Sequence, residues 1–261
     1  MFCRSRLFVC ILLVLALSLP LLSQSQPLSD PRAVVLVTQS IAAMTRGATI
    51  TDARLAADIT WMPGSEPEAG TAIFLAKGNY GSRVDLSADS GSKRSEIRNS
   101  FNGPTGKWIN TDGKSGKYVF HNCLTDAAWF FPAFSSLANI SDSHFVFSYL
   151  GEETWNGLSV KHLRVYQLQN GSKDGQRLST MDFYLDPSSS LPLGSSFKIH
   201  PDKSMNAEIL TEIRFADYRL VSGIEVPFRI QRIQNGALFL DARVTEAIFN
   251  TGVSDQMFDT R

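Results

Sequence analysis

Apolar and polar residues alternate in short runs from Thr51 to the end of the chain, and turn residues separate these runs. Alternation with a period of two is typical of strands that bury one face of a sheet. The pairs Asn156-Gly157, Ser222-Gly223 and Asn235-Gly236 each join two such runs at the distance that a hairpin requires. The pattern predicts a mainly β protein whose neighbouring strands are antiparallel.

The predicted strands form two series, separated by an apolar segment at residues 125–137. They run near Ala53–Met62, Thr71–Lys77, Ser82–Ser87, Ser95–Ser100, Lys107–Asn110, Lys117–His121, His144–Gly151, Leu158–Gln169, Arg177–Asp186, Ser195–His200, Leu210–Val221, Glu225–Ile233 and Ala237–Asn250. In the last three strands one face is apolar, with Ile213, Phe215, Val226, Phe228, Ile230, Leu238, Leu240, Ala242 and Val244, and the other is polar. A twisted sheet of about ten strands with one apolar face curls, and its concave face needs a cover.

Two segments with helical character are predicted to supply this cover. Asp30 and Pro31 are typical residues of a helix N-terminus, and an apolar stretch follows them as far as Gly47, where the helix is predicted to end. The segment Thr125–Leu137 is predicted to be a short helix that Pro132 interrupts. The predicted fold is mainly β with an α lid: a curved antiparallel sheet forms an unclosed β-barrel, and short helices cover its apolar cavity.

The first 25 residues have the pattern of a cleaved secretory signal peptide. Arg4 and Arg6 precede the apolar run Leu7–Leu22, and Ser23 and Ser25 stand at the small-residue positions of a cleavage site. Residues 26–261 are then a single predicted domain, located in the periplasm or outside the cell. The signal peptide contains two of the 25 basic residues and none of the 25 acidic ones. The mature protein therefore lacks the basic excess that binding to nucleic acid requires.

The sequence shows no pattern of catalytic or metal-binding residues. No G-x-S-x-G motif occurs, and the four histidines are scattered over predicted strands or their ends. His121 and Cys123 have no second pair at the spacing of metal ligands, and Cys123, the one cysteine left after cleavage, is predicted to be buried. We predict no catalytic residue, no metal, no cofactor and no enzyme activity. The alternative is a hydrolase with a dispersed triad, since triad members need not be adjacent in sequence.

Tryptophan and phenylalanine are concentrated between Trp108 and Phe147. Two interpretations are open: these side chains fill the core, or part of the cluster lines a pocket for a long apolar ligand under a lid. On the second interpretation, the predicted ligand-binding residues are Trp129, Phe130, Phe131 and Phe134 in the lid, with Phe74, Phe183, Phe215 and Phe228 on the sheet.

The C-terminal third also carries motifs of a known family. The motif residues are Asp182–Pro187, Leu191-Pro192, Ile213–Arg219, Val221–Phe228 and the ending from Asn250 to Phe258. They resemble the strand, the hairpin and the C-terminal ending of the LolA-like superfamily of periplasmic lipoprotein carriers. The resemblance begins at Thr180, and it implies an unclosed barrel with a helical lid and a cavity for acyl chains of lipids or lipoproteins.

In the lipoprotein carriers an arginine on an early strand helps to hold the lid shut. The motif of this arginine is not found in the present sequence: Arg54, Arg83 and Arg98 all lie on predicted strands, but without its matching context. The leading hypothesis is thus an exported soluble binder or carrier of a hydrophobic ligand. Its partners would be a lipid or an acylated protein and a membrane-associated donor or acceptor, and it would act as a monomer. The second alternative is a structural or sensor module of the envelope that docks a protein partner and fills its cavity with Phe and Trp side chains.

Overall fold

The structure is a computed structural model that describes residues 28–62, 64–168 and 172–261. The predicted signal peptide, residues 1–25, lies outside these ranges. The described residues contain two α-helices, α1 (Pro31–Thr45) and α2 (Lys173–Ser179), and a 13-stranded antiparallel sheet. Its strands are β1 (Asp52–Trp61), β2 (Glu68–Lys77), β3 (Gly81–Ala88), β4 (Lys93–Asn99), β5 (Thr105–Asn110), β6 (Ser115–Lys117), β7 (Phe145–Trp155), β8 (Leu158–Gln167), β9 (Met181–Leu185), β10 (Pro192–Ile199), β11 (Ile209–Val221), β12 (Ile224–Gln234) and β13 (Ala237–Phe249).

The sheet consists of two meanders, β1 to β6 and β7 to β13, which are joined where β1 pairs with β13. β6 and β7 stand at the two ends of the strand order. The sheet is therefore curved but not closed, as the alternation of the sequence predicted. No helix among the described residues is long and apolar enough to cross a membrane.

Helix α1 covers one part of the concave face. The Asp30 side chain caps it by accepting from the Arg32 backbone N–H at 2.8 Å, and Pro31 occupies the first turn. The helix contacts β7 and β12 and buries Leu36, Val37 and other residues of the same side. Its predicted start and end are both confirmed, because Arg46 and then Gly47 adopt positive φ angles after the last turn.

The hairpin turns of the second meander have the predicted chemistry. Both central residues have positive φ in Asn156-Gly157 (50° and 81°), Ser222-Gly223 (50° and 84°) and Asn235-Gly236 (47° and 81°). This conformation matches the twist of the strands on either side, and glycine adopts it without steric cost. The predicted register of the last three strands follows from these turns, with one exception.

The exception is a β-bulge in the pairing of β12 with β13. Arg232 pairs with Leu240, but Ile233 pairs with Leu238, so Phe239 is the additional residue. The bulge moves Leu238 to the convex face, where it is 41% exposed, although the alternation predicted it on the apolar face. Arg232 lies on the concave face instead, in register with Ile213 and Leu240.

Two predicted strands are shorter than the pattern indicated. Residues of the predicted strand Arg177–Asp186 are divided between α2 and β9, because Ser172 caps a short helix by accepting from the Gly175 backbone N–H at 3.1 Å. The predicted strand Lys117–His121 ends at Lys117, and Phe120–Cys123 forms a 3-10 helix. In both places a local cap or turn outweighs the alternation.

The covering segment, residues 120–139, crosses the concave face without forming the predicted α-helix. Residues 127–130 form turns, and Pro132–Phe134 and Ser136–Asn139 are 3-10 helices. Phe131 is extended (φ −130°, ψ 96°), because the proline that follows it disfavours the helical conformation at this position. Cys123 is buried in this segment, as predicted, and its burial raises the pKa of the thiol.

Replacement of Gly194 by alanine is expected to lower the free energy of unfolding by about 1–3 kcal/mol. A Cβ atom at Gly194 would lie 2.4 Å from the Ile213 carbonyl oxygen and 2.4 Å from the Trp155 ring, which stacks on Tyr184. Denaturant titration measures the loss. Gly64→Ala is the control, because a Cβ atom there meets nothing within 4 Å. Equal midpoints for the two variants would contradict the close packing of Trp155.

Candidate functional site

The structure brings the eight predicted ligand-binding residues into one buried cluster on the concave face. None of them is more than 9% exposed, and they are Phe74, Trp129, Phe130, Phe131, Phe134, Phe183, Phe215 and Phe228. The Phe74 ring centroid lies 6.1 Å from that of Trp129 and 5.0 Å from that of Phe130. In this conformation the aromatic side chains of the covering segment pack directly on the sheet. Their assignment to a ligand remains a prediction.

Side-chain hydrogen bonds fasten the covering segment to the sheet. Ser82 Oγ donates to the Ala127 carbonyl oxygen at 2.6 Å, and Arg98 Nη2 donates to the Thr125 carbonyl oxygen at 3.0 Å. Ser82 and Arg98 are register partners in β3 and β4, so both project from the same face of the sheet. Such bonds can break one at a time, whereas a strand ladder separates as a unit. The segment is thus held as a cover rather than as part of the sheet.

Of the three arginines on early predicted strands, Arg98 contacts the cover. Arg54 instead forms an ion pair with Glu246 at 2.8 Å, and Arg83 forms one with Asp85 at 2.8 Å. What distinguishes Arg98 is its pairing with Ser82 in the neighbouring strand. This pairing depends on the register of β3 and β4, which the sequence of one strand does not reveal.

Asp126 is a buried carboxyl group inside the covering segment. Its Oδ1 accepts from the Ser136 backbone N–H at 3.0 Å, and its Oδ2 has no hydrogen-bond partner in the described part of the chain. Burial raises the pKa of Asp126 to about 6, against the smaller opposing effects of Ser136 and Arg98. A carboxyl group with this pKa is close to half-protonated in mildly acidic solution, so we expect the stability of the cover to depend on pH.

A cleft of about 590 Å³ lies at one end of the concave face, next to the cover. Trp61, Phe239 and Ile199 supply apolar walls, and Arg94 and Arg232 supply charge. A smaller cavity of about 70 Å³ shares Arg232 and Ile199 with the cleft and extends to Trp129. The volume of the cleft is in the range of known small-molecule sites. The two spaces therefore lie side by side, and the smaller one borders the aromatic cluster at Trp129.

The wall of this cleft contains an ion cluster of Arg94, Glu96, Tyr118 and Arg232. Glu96 accepts from Arg94 Nε at 2.8 Å and from Arg232 Nη1 at 3.4 Å. Arg94 also donates to the Tyr118 hydroxyl oxygen at 3.3 Å. Strands β3, β2, β1 and β13 separate β4 from β12 in the sheet, so the Glu96–Arg232 pair spans the hollow of the curved sheet. The pair thus links two strands that are distant in the strand order.

Electrostatics keep Arg94, Glu96 and Tyr118 in their ordinary charge states. Burial alone would raise the pKa of Glu96, but Arg232 and Arg94 outweigh it and hold the pKa of this carboxyl below its usual value. Burial and the Glu96 charge raise the pKa of Tyr118 well above its usual range, so its hydroxyl group stays protonated. The cluster has two guanidinium groups for one carboxylate and carries a net positive charge.

The sequence does not predict this cluster, because Arg232 interrupts the apolar alternation of its strand and Arg94 and Glu96 belong to no motif. The Arg232 guanidinium lies 5.3 Å from the Trp129 ring centroid and 5.3 Å from that of Phe239. Stacking between rings allows an arginine to remain charged on an otherwise apolar face.

Comparison with known proteins gives matches in structure alone, since no protein-family model and no curated protein matches the chain. An outer membrane lipoprotein-sorting protein domain from Vibrio parahaemolyticus matches with a TM-score of 0.56 at 12% identity, covering 87% of this chain and 96% of that one. A DUF1329 family protein from Desulfovibrio piger matches with a TM-score of 0.56 at 12% identity, over 90% and 98% of the chains.

A LolA superfamily protein from Nitrosomonas europaea matches with a TM-score of 0.54 at 10% identity, over 87% of this chain and 97% of that one. At such identities the similarity is one of fold. It extends over most of the chain, well beyond the C-terminal third in which the sequence motifs lie. The fold of this chain is therefore the LolA-like fold.

Proposed function

We propose that this protein is an exported carrier of a hydrophobic ligand, which it holds between the curved sheet and the covering segment. The observation that carries this proposal is the construction of the cover: an apolar segment lies across the concave face and is tied to it by a few side-chain hydrogen bonds, from Ser82, Arg98 and Gln167 and between Asn122 and His200. Movement of the cover requires both the loss of these ties and the separation of the aromatic side chains from the sheet, and it would expose the cluster to a ligand that enters from the adjacent cleft.

An acyl chain is the ligand class that best fits a binding site formed by the aromatic cluster. Burial of each CH₂ group contributes about 0.8 kcal/mol, so a chain of about twelve carbons gains about 10 kcal/mol before the entropic cost of association. The aromatic cluster around Phe74 and Phe130 would bury the CH₂ groups of such a chain once the cover moves. Lipids and acylated proteins both supply chains of this length.

The proposed location is the periplasm or the extracellular space, with transfer to or from a membrane-associated partner. The predicted signal peptide at residues 1–25 and the description of the Vibrio domain as lipoprotein-sorting support this proposal.

Native mass spectrometry of the mature protein from its own envelope fraction tests the proposal, followed by uptake of a fluorescent fatty acid. We expect a stoichiometric lipid adduct or uptake by the stripped protein. Arg98→Ala, which removes a tie of the cover, should speed ligand release by up to about tenfold. Arg83→Ala is the matched control, since Arg83 lies on the neighbouring strand and pairs with Asp85. A clean mass with no uptake would contradict the carrier function.

A second candidate function is favoured by the packing of the aromatic cluster. Phe74, Phe130 and Phe131 are each 0% exposed, as in a filled core. An envelope module that docks a protein partner would keep this conformation throughout. It would carry no lipid and take up none, so the same experiment separates the two functions.

A further inference from the structure

The ion cluster gives the cleft an excess of positive charge. Arg94 and Arg232 share the single carboxylate of Glu96, so one guanidinium charge has no counter-charge within the cluster. Asp112, the other acidic residue of the cleft wall, pairs with Lys114 at 3.0 Å. An uncompensated charge beside apolar walls attracts an anion more strongly than the same charge in water does.

Two buried donors next to the cleft lack acceptors. The Nε–H of Arg232 and the indole N–H of Trp61 have no hydrogen-bond partner among residues 28–62, 64–168 and 172–261. Both residues contribute to the cleft wall. A buried donor without an acceptor costs about 1–3 kcal/mol, so an acceptor from a ligand would be stabilising here.

We propose that the cleft binds the oxyanion head group, a carboxylate or a phosphate, of a single-chain lipid whose chain passes beneath Trp129. This inference rests on the proposed carrier function and adds a head-group site to it. The small cavity beside the cleft, which Arg232 and Trp129 both line, gives the direction of the chain. The Tyr118 hydroxyl, which Arg94 already contacts, lies in both walls and supplies a further polar contact.

The head group and the chain can be tested separately, because probes exist with the same chain and different heads. Palmitate, hexadecyl phosphate and uncharged hexadecanol are titrated against the mature protein, with tryptophan fluorescence as the signal. We expect the two anions to bind about tenfold more tightly than the alcohol, the effect of one charge-assisted contact. Inorganic phosphate is included to distinguish a lipid head group from a free ion.

Three variants identify the source of the preference. Arg232→Gln should abolish the preference for anions, and its far-UV circular dichroism spectrum shows whether the variant is folded. Glu96→Gln should increase the preference, because it removes the carboxylate that competes for both arginines. Arg229→Gln is the matched control: Arg229 lies on the same strand, pairs with Asp241 at 3.0 Å and should leave the preference unchanged.

Each other outcome overturns the proposal. Equal affinities for the three probes would overturn the head-group site and leave the carrier function standing. If no probe binds, the carrier function fails and the head-group site fails with it. Inorganic phosphate that binds as tightly as palmitate would make the cleft a simple ion site. If the preference for anions persisted in Arg232→Gln, or did not increase in Glu96→Gln, the ion cluster would not be its source.

Discussion

Replacement of Phe130 by alanine is expected to lower the free energy of unfolding by about 3–5 kcal/mol. Phe130 is 0% exposed, and its ring centroid lies 5.0 Å from that of Phe74 and 5.7 Å from that of Trp129. The truncation removes the contacts of a whole ring and leaves a cavity between the cover and the sheet. Denaturant unfolding monitored by tryptophan fluorescence measures the loss, since Trp129 lies beside the site.

Phe120→Ala is the matched control for this loss. Phe120 belongs to the same covering segment and has the same side chain, but it is 59% exposed. Its truncation should change the free energy of unfolding by less than about 0.5 kcal/mol. If the two variants lost equal stability, the cover would not pack on the sheet through Phe130. If neither lost any, the covering segment would be detached from the sheet in solution.

The predictions that succeeded rest on patterns within a few neighbouring residues. Alternation and hairpin turns such as Asn235-Gly236 were sufficient for an antiparallel curved sheet, and Asp30 with Pro31 was sufficient for the start of α1. These features depend on local backbone preferences and on the side of a strand that each residue occupies. A single sequence contains that information.

Two features that the sequence does not indicate depend on how the strands pair and curl in the sheet. The bulge at Phe239 places Leu238 on the convex face, and nothing in the alternation of β13 indicates an additional residue. The pair between Glu96 and Arg232 forms because the sheet curls through several strands, and the degree of curling is a property of the whole sheet. In the sequence alone, a polar residue on the concave face therefore looks like an interruption of the apolar–polar alternation.

The local structure of the covering segment also differs from the prediction. Its apolar run predicted a helix, but the residue before Pro132 is extended, and tertiary contacts with the sheet stabilise turns and 3-10 helices instead. Burial of the aromatic residues was foreseeable, whereas the ties from Ser82 and Arg98 were not, because each depends on strand register.

Asp126→Asn is expected to make the protein more stable than the wild type at pH 8, and about equally stable near pH 4. Burial raises the pKa of Asp126 from 3.8 to about 6, so the folded protein holds this proton more tightly than the unfolded chain does. Stability is then highest below pH 4, falls as the pH rises towards 6, and stays at the lower value above it. At 1.36 kcal/mol for each pKa unit, the difference corresponds to about 3 kcal/mol.

The asparagine variant keeps the amide oxygen that accepts from the Ser136 backbone N–H, and it cannot ionise. The measurement is the free energy of unfolding of both proteins between pH 4 and pH 8. With rising pH, this free energy should fall more in the wild type than in the variant. Asp142→Asn is a control of opposite sign, because the His144 backbone N–H lowers the pKa of Asp142. That variant should lose stability at neutral pH relative to the wild type. Parallel curves for the wild type and Asp126→Asn would mean that Asp126 is solvated, and that the cover is open in solution.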